Sequence, residues 1–510
     1  MKIFKRIGLF ALIALMTLQF AGCKKENSAT NNVDLSSETL ISKEPIELTV
    51  FYPSSKEADG QWKIFAEAAK LTNVSARVTV SKSNTDFNQA FNLALAAGDI
   101  PDIVETYDPV GFSQYGIEGA FVPLNEYFDE CAPNIKKMLE ENPSIKKRIT
   151  ASDGNIYYIP HIPGGSASTG WFIRTDWLKK LGLEIPDSTE ELYTVFKAFK
   201  EKDPNGNGQA DEVPFFGADL NELFPLWNAR PDWYVADGKI KYGPYEPEYK
   251  EALTNIIKWY NEGLIDREIL TRSKDPREKM LTDNIGGATN NWFGSTAKFN
   301  DRLKDSIPGF EFKPIAPPNG IELRRRPESS LYGWGVSASS KYIKEAIKYL
   351  DFWYSETGNR LMNFGVEGVH YDMVDGKPQF KAELLAKENV QKELAEFGIQ
   401  MDIGFKQDFE YEKQWINQIA VDGMTMYENS DYIVEQVPPL EMVIADEEAK
   451  ESNNIDTQID TYASEMLQKW VLGAVAFTDE SWNKYINELD KFGMNGLLEI
   501  RQNAYEKYNK

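Results

Sequence analysis

The sequence predicts an α/β protein of two lobes, and three observations carry that prediction. Strand and helix patterns alternate near the start of the folded body, and 510 residues suffice for two or more sizeable cores. Runs rich in Gly, Ser and Pro also interrupt the chain where it would pass between lobes. Ile46 to Phe51 alternates apolar and polar residues as a first strand. Trp62 to Leu71 follows as an amphipathic helix and Val74 to Val80 as a second strand. Phe87 to Ala97 reads as a helix ended by Gly98, and Ile100 to Val104 as a short buried strand. Such an order implies parallel βαβ units, with a ligand near the strand ends.

His161 to Gly170, a Gly/Ser/Pro-rich run between apolar segments, is the expected first crossing between lobes. Lys313 to Gly320 is the second connector. A strand at Leu331–Ala338 and a helix at Tyr342–Tyr354 then return to the first lobe. Gly365 to Tyr371 is read as the third crossing. Beyond about residue 375, helical periods at 412–427, 456–472 and 481–507 finish the second lobe and pack across the first. The expected boundaries are 45–165 with 328–368 for lobe 1, and 166–327 with 369–510 for a helix-rich lobe 2. A chain that re-enters a lobe in this way makes a clamp with several hinge strands.

The stretch from Trp171 to Gly217 holds the sharpest chemical signal. After an apolar run come a helix at Asp176–Leu181, a break at Pro186 and a second helix. Ser188 with Glu191 forms a capping box, and Leu192, Val195, Phe196 and Phe199 give one buried face. Then oxygen-bearing side chains alternate at Asp203, Asn205, Asn207 and Asp211, with Gly208 at the sharp turn. Calcium takes six to eight hard oxygen ligands, and this alternation converges them. Gln209 would give its backbone carbonyl. The twelfth loop position, normally a bidentate Glu, is Pro214, so Asp211 and Glu212 must close the site. The expectation is a structural Ca2+ ion, against the alternative of a solvated Asn/Gly turn.

The formal charge of −23 argues against nucleic acid and anionic membrane surfaces as partners. Lys2, Lys5 and Arg6 precede a short apolar run, Gly8 to Leu18, so residues 1–22 read as a signal peptide. Phe20-Ala21-Gly22-Cys23 resembles the lipobox of bacterial lipoproteins, in which the cysteine becomes lipidated residue one; an ordinary cleaved signal is the alternative. Residues 23–44 are a polar tether, and nothing further along approaches membrane-spanning length. Membrane attachment would therefore rest on lipid at Cys23 alone. Cys131, the only other cysteine, cannot make an internal bridge and is expected as a small buried filler.

Three segments carry a family resemblance: IRTDWLKKLGLEIPDSTEEL at 173–192, AFKEKDPNGNGQADEVPF at 198–215 and FGVEGVHY at 364–371. Together they resemble the extracellular solute-binding proteins of ABC sugar importers, in the large-lipoprotein branch that includes alginate-binding proteins. The resemblance covers nearly all of the mature chain. It implies a two-lobed, periplasmic-binding-protein-like clamp anchored outside the cell membrane. Such a clamp captures a carbohydrate between its lobes as a monomer and hands it to an ABC permease. It also implies calcium in the DPNGNG loop, with the departure at the twelfth position shared by the branch.

Sugars stack their C–H faces on aromatic rings while carboxylates, amides and Arg satisfy their hydroxyls. Loop aromatics beside Gly, Asn or Pro are therefore candidate contacts: Trp227, Trp233, Trp292, Trp334 and Tyr371. Each has a plainer reading as a lid on the core edge. Polar partners would be Glu105 and Asp108 after the third strand, Asn291, and Glu367, with Asp102, Asn290 and His370 nearby in sequence. Arg324 to Arg326 read as a solvated surface run, and neither His161 nor His370 as catalytic. A secreted, calcium-stabilised glycoside hydrolase is the competing class, since two carboxyl groups could be found among 79 acids. The regular eightfold βα repeat of a barrel and the G-x-S-x-G and H-E-x-x-H motifs are missing from the sequence. A binding protein without catalytic residues is the expectation, feeding a permease or, as a weaker option, a sensor.

Overall fold

The computed structural model describes residues 39–510 apart from 54–61, 82–83, 107, 166, 273, 324–325, 331–332, 388, 402, 435–443 and 445. The signal peptide, Cys23, most of the tether, Arg324 and Arg325 lie outside the described residues.

The first sheet opens with β1 (Ile46–Pro53), parallel to both β2 (Val74–Ser81) and β3 (Ile103–Thr106). Helix Lys63–Thr72 makes the first crossover and buries Ile64, Phe65, Ala68 and Thr72 on one face. Asn73 ends it at φ 60°, in the left-handed region that asparagine tolerates better than most side chains. β4 (Ile159–Pro160) lies at the edge of this sheet, and the chain then enters another.

β5 (Thr169–Arg174) is buried along all six residues. Its side chains alternate between faces, so Trp171 and Ile173 join one core and Phe172 a second. β6 (Val213–Phe215) precedes a hairpin of β7 (Trp233–Ala236) and β8 (Lys239–Tyr242). β9 (Gly286–Trp292) and β10 (Phe312–Ile315) complete the second sheet in the order β10-β5-β9-β6. β11 (Glu322–Leu323) leaves it, and β12 (Gly333–Val336) lies antiparallel between β3 and β4 of the first sheet. Later come the hairpin β13 (Tyr371–Val374) and β14 (Lys377–Phe380), and β15 (Ile433–Val434), which runs parallel to β11. Among the described residues no helix is long and apolar enough to cross a membrane.

The alternation of strands and helices thus gives the expected α/β clamp, in which the chain leaves the first sheet after β4 and rejoins it at β12. The third expected crossing is not where it was drawn. Phe364, Tyr371, Phe380, Leu394, Phe405 and Tyr411 all belong to the core of the first sheet, so the chain stays with that sheet through Gly365–Tyr371. The lobe boundary drawn at 369 accordingly misassigns residues 371–411. Gly365 and Gly368, at φ 82° and 77°, form a tight turn in which His370 Nδ1 accepts the Val366 amide at 3.0 Å. Glycine punctuates a turn as readily as a crossing, and that is why the reading failed. The change of core comes after Tyr411, because helix Gln418–Glu428 packs Ala420, Met424 and Tyr427 with Phe172 and Phe293.

The C-terminal helices Asp446–Val471 and Asp479–Phe492 put Trp470, Trp482 and Leu489 into the core with Trp171 and Phe196. Each such large apolar side chain, fully buried, contributes about 1.5–3 kcal/mol. The last helix, Met494–Tyr508, reaches the first lobe, where Lys147 Nζ stands 4.3 Å from the Tyr508 ring centroid. Cys131 is buried and unbridged, as a small filler should be.

Candidate functional site at the crossings

Three chain segments pass between the core of the first sheet and the elements packed on the second, and they are bonded side by side. The Ile162 amide donates to the Phe405 carbonyl and the Gln407 amide to the Ile162 carbonyl, both at 2.8 Å. The Ser330 amide donates to the His161 carbonyl at 2.9 Å. Gly164 is fixed by the Gln407 side chain, whose Oε1 accepts its amide at 2.9 Å. A Cβ at Gly164 would stand 3.0 Å from the Gln407 carbonyl oxygen and the Phe409 nitrogen, so the approach of two backbones requires glycine there.

The head of the second sheet opens onto this bundle. β9 brings Thr289, Asn290 and Asn291 into it buried, and ends on Trp292, which is 43% exposed. Trp292 faces Thr169 in the ladder with β5. Glu322, only 4% exposed, accepts the Thr169 hydroxyl at 3.0 Å and the Asn290 amide nitrogen at 2.7 Å, which ties the second crossing to both strands. Asn291 Oδ1 accepts the Trp292 amide at 2.8 Å. Ser168 Oγ, Asn290 Oδ1, Ser329 Oγ and His161 Nε2 are buried without a protein hydrogen-bond partner. Buried polar atoms of that kind call for a partner, and here they line the crossings beside an exposed indole. An apolar face among amide and hydroxyl groups can hold a polyhydroxylated molecule.

Other candidate contacts have different roles. Trp334 is fully buried, stacked between Phe65 and Tyr349 in the first core. Tyr371 is buried beside Phe364 in that core, and Glu367 stands exposed on the turn before it. Trp233 fastens the C-terminal helices: its Nε1 donates to Asp456 at 3.1 Å and the Arg501 guanidinium lies 4.4 Å from its ring. Trp227 packs on Trp259 at 5.0 Å. Asp108 accepts the Gly111 amide and caps helix Pro109–Ile117, while Glu105 is buried opposite Trp334 in the ladder. A residue before Pro or beside Gly reads equally as a cap, a core wedge or a contact, and only the fold separates these.

Sequence reasoning missed Glu322 and Glu412 and misread Arg326 as a solvated residue. The Arg326 side chain is 16% exposed and pairs with Glu412 at 2.7 Å. One charge in a run of three gave no signal of that burial.

In the loop at 203–212, Asp203 gathers three backbone amides: Gly206 and Asn207 on Oδ1 at 2.9 and 3.0 Å, and Gly208 on Oδ2 at 3.0 Å. Asn205 and Asn207 Oδ1 accept the amides two residues on, which winds the loop into a tight coil. Asp211 receives the side-chain amides of both asparagines at 3.0–3.2 Å. Glu212 is 1% exposed, and both its carboxylate oxygens are buried without a hydrogen-bond partner. Burial first, opposed by the backbone amides of Glu212 and Asn205 and reinforced by the charges of Asp211 and Asp203, pushes its pKa up. Ser188 Oγ accepts the Glu191 amide as expected, but the Glu191 carboxylate reaches the Asp187 amide, one residue before the cap.

Two sheets with separate cores, joined by hydrogen-bonded segments beside an exposed aromatic, suit a protein that closes on a small solute. The chain belongs to the bacterial extracellular solute-binding proteins, whose family pattern matches residues 52–360, more than half of it. It is 26% identical to the fructooligosaccharide ABC transporter substrate-binding protein FusA of Streptococcus pneumoniae serotype 4, over 99% of this chain and 98% of that one. It is 29% identical to lipoprotein LipO of Bacillus subtilis, over 74% of this chain and 76% of the relative. Among solved structures, the alginate-binding protein AlgQ2 without calcium ion superposes with a TM-score of 0.79 at 38% identity, covering 92% of this chain and all of that one.

Proposed function

We propose that this protein is a lipid-anchored receptor that captures a carbohydrate between its lobes and delivers it to an ABC permease. The observation that carries the reading is the end-to-end match to a fructooligosaccharide-binding relative, joined to an indole exposed among buried amides at the crossings. Asn291 and Trp292 are the ligand residues retained from the sequence, with Asn290 beside them. The crossings, bonded to one another through His161, Ile162, Gly164, Arg326, Ser330, Phe405, Gln407 and Glu412, serve as hinges between the lobes. Lipid on Cys23 holds the receptor outside the cell, on its polar tether, as a monomer. The hydrolase reading has no support from FusA or the alginate-binding protein, which are named for binding.

A structural Ca2+ belongs to the same proposal. The residues at 203–212 fit it, because an orphaned, buried Glu212 carboxylate beside Asp203 and Asp211 is a concentration of negative charge that a divalent cation neutralises. Asp203, Asn205, Asn207, Asp211 and Glu212 would supply side-chain oxygens and Gln209 its carbonyl. The ion's contribution there is to tie the end of helix Thr189–Glu201 to β6.

Thermal unfolding against a panel of oligosaccharides, each with calcium or a chelator, tests both parts. Binding to the folded state raises the midpoint by mass action. A shift by one sugar class supports the receptor; no shift with any sugar contradicts it. A chelator-induced drop that Asp203→Ala abolishes supports the calcium site.

A further inference from the structure

We propose that Arg326 is a positioning residue, the knot through which all three crossings set the orientation of the Trp292 platform. The inference rests on the carbohydrate-receptor reading above. Arg326 stands on the second crossing. Its Nη1 donates to the Gly164 carbonyl on the first at 3.0 Å, and its Nη2 to Glu412 Oε2 on the third at 2.7 Å. The guanidinium carbon lies 5.9 Å from the Trp292 ring centroid, within cation–π range.

Both members of the ion pair are largely buried, at 16% and 10% side-chain exposure. Losing one partner of such a pair leaves a charge without compensation, so the geometry resists sliding of any crossing against the others. Only a planar fork of donors serves the carbonyl and the carboxylate together; the point charge of lysine does not. The same surroundings close on the platform from the other side. A Cβ at Gly294, two residues past Trp292, would lie 3.0 Å from Ile416 and 3.8 Å from Glu412 Oε1. Arg326 of the second crossing thus faces the ring, and the third crossing lies against the backbone just past it. With Glu412 beside it, the guanidinium already has its counter-charge, so its task is to hold the ring and not to read an acidic sugar.

The test is a set of calorimetric titrations on the full chain. It uses the sugar giving the largest thermal shift, plus one neutral and one uronate oligosaccharide. Variants are Arg326→Lys, Arg326→Met, Glu412→Gln and Trp292→Ala, singly and with Arg326→Lys or Glu412→Gln in the Trp292→Ala background. Arg326→Lys is expected to weaken every sugar that binds by about tenfold or more, and by less than about threefold once Trp292 is gone. That coupling separates positioning from a general loss of structure. Should Arg326→Met fail to fold, Glu412→Gln, which keeps an acceptor for Nη2, is expected to show the same Trp292-dependent loss. Equal losses with and without Trp292, wild-type affinity in Arg326→Lys, or a loss confined to the uronate each overturn the inference. If the wild type binds no carbohydrate, the receptor reading falls and takes this one with it, and the same titration shows which has failed.

Discussion

Single residues carry the electrostatics of this chain, and two have signs that can be worked out. Glu212 has its pKa pushed up, chiefly by burial, so without calcium its charged form is disfavoured in the folded chain relative to the unfolded one. Stability in chelator therefore falls as pH rises through the window above the ordinary carboxylate range, and calcium reverses the trend. Glu212→Gln should accordingly stabilise the chelated protein by about 1–3 kcal/mol while weakening the calcium response. Urea unfolding with and without calcium checks both, and equal destabilisation in both conditions would contradict the assignment. His161 is pushed down to about 3, chiefly by burial and then by Arg326. The unfolded chain binds that proton near the ordinary value of about 6.5, so stability is lost as pH falls below it. From pH 7 to pH 5 the loss should reach about 2 kcal/mol, and His161→Gln should flatten it in the same unfolding series.

At the scale of elements, the legible features were those with a period or a cap. Leu192, Val195, Phe196 and Phe199 are all buried as their spacing required, and Gly98 stands at a helix end. What could not be read was which aromatic faces solvent. Trp334 and Trp292 sit in similar Gly/Asn surroundings, yet one is fully buried and the other 43% exposed. The difference is set by long-range neighbours, Phe65 and Tyr349 against Arg326, which no local pattern encodes. Trp334→Ala should therefore cost about 3–5 kcal/mol in urea unfolding. Trp292→Ala should cost less than about 1 kcal/mol and instead weaken cargo binding at least about tenfold. The reverse assignment of effects would return the platform to Trp334.

On the scale of the whole molecule, the α/β clamp was legible from chain length and alternating elements, but the third crossing was not. Residues 371–411 return to the first core through contacts such as Phe380 with Phe364, far from the turn that suggested a hinge. Closure about the three crossings should lower the radius of gyration measured by solution X-ray scattering when cargo is added, and Trp292→Ala should blunt that contraction at equal sugar concentration. The central claim is that this chain binds a carbohydrate and does not change it. Its most direct test is calorimetric titration of an oligosaccharide into the protein, followed by chromatography of the sugar recovered from the same sample. Saturable binding with the sugar recovered intact is the result predicted here; shortened sugar, or no heat with any oligosaccharide, would contradict it.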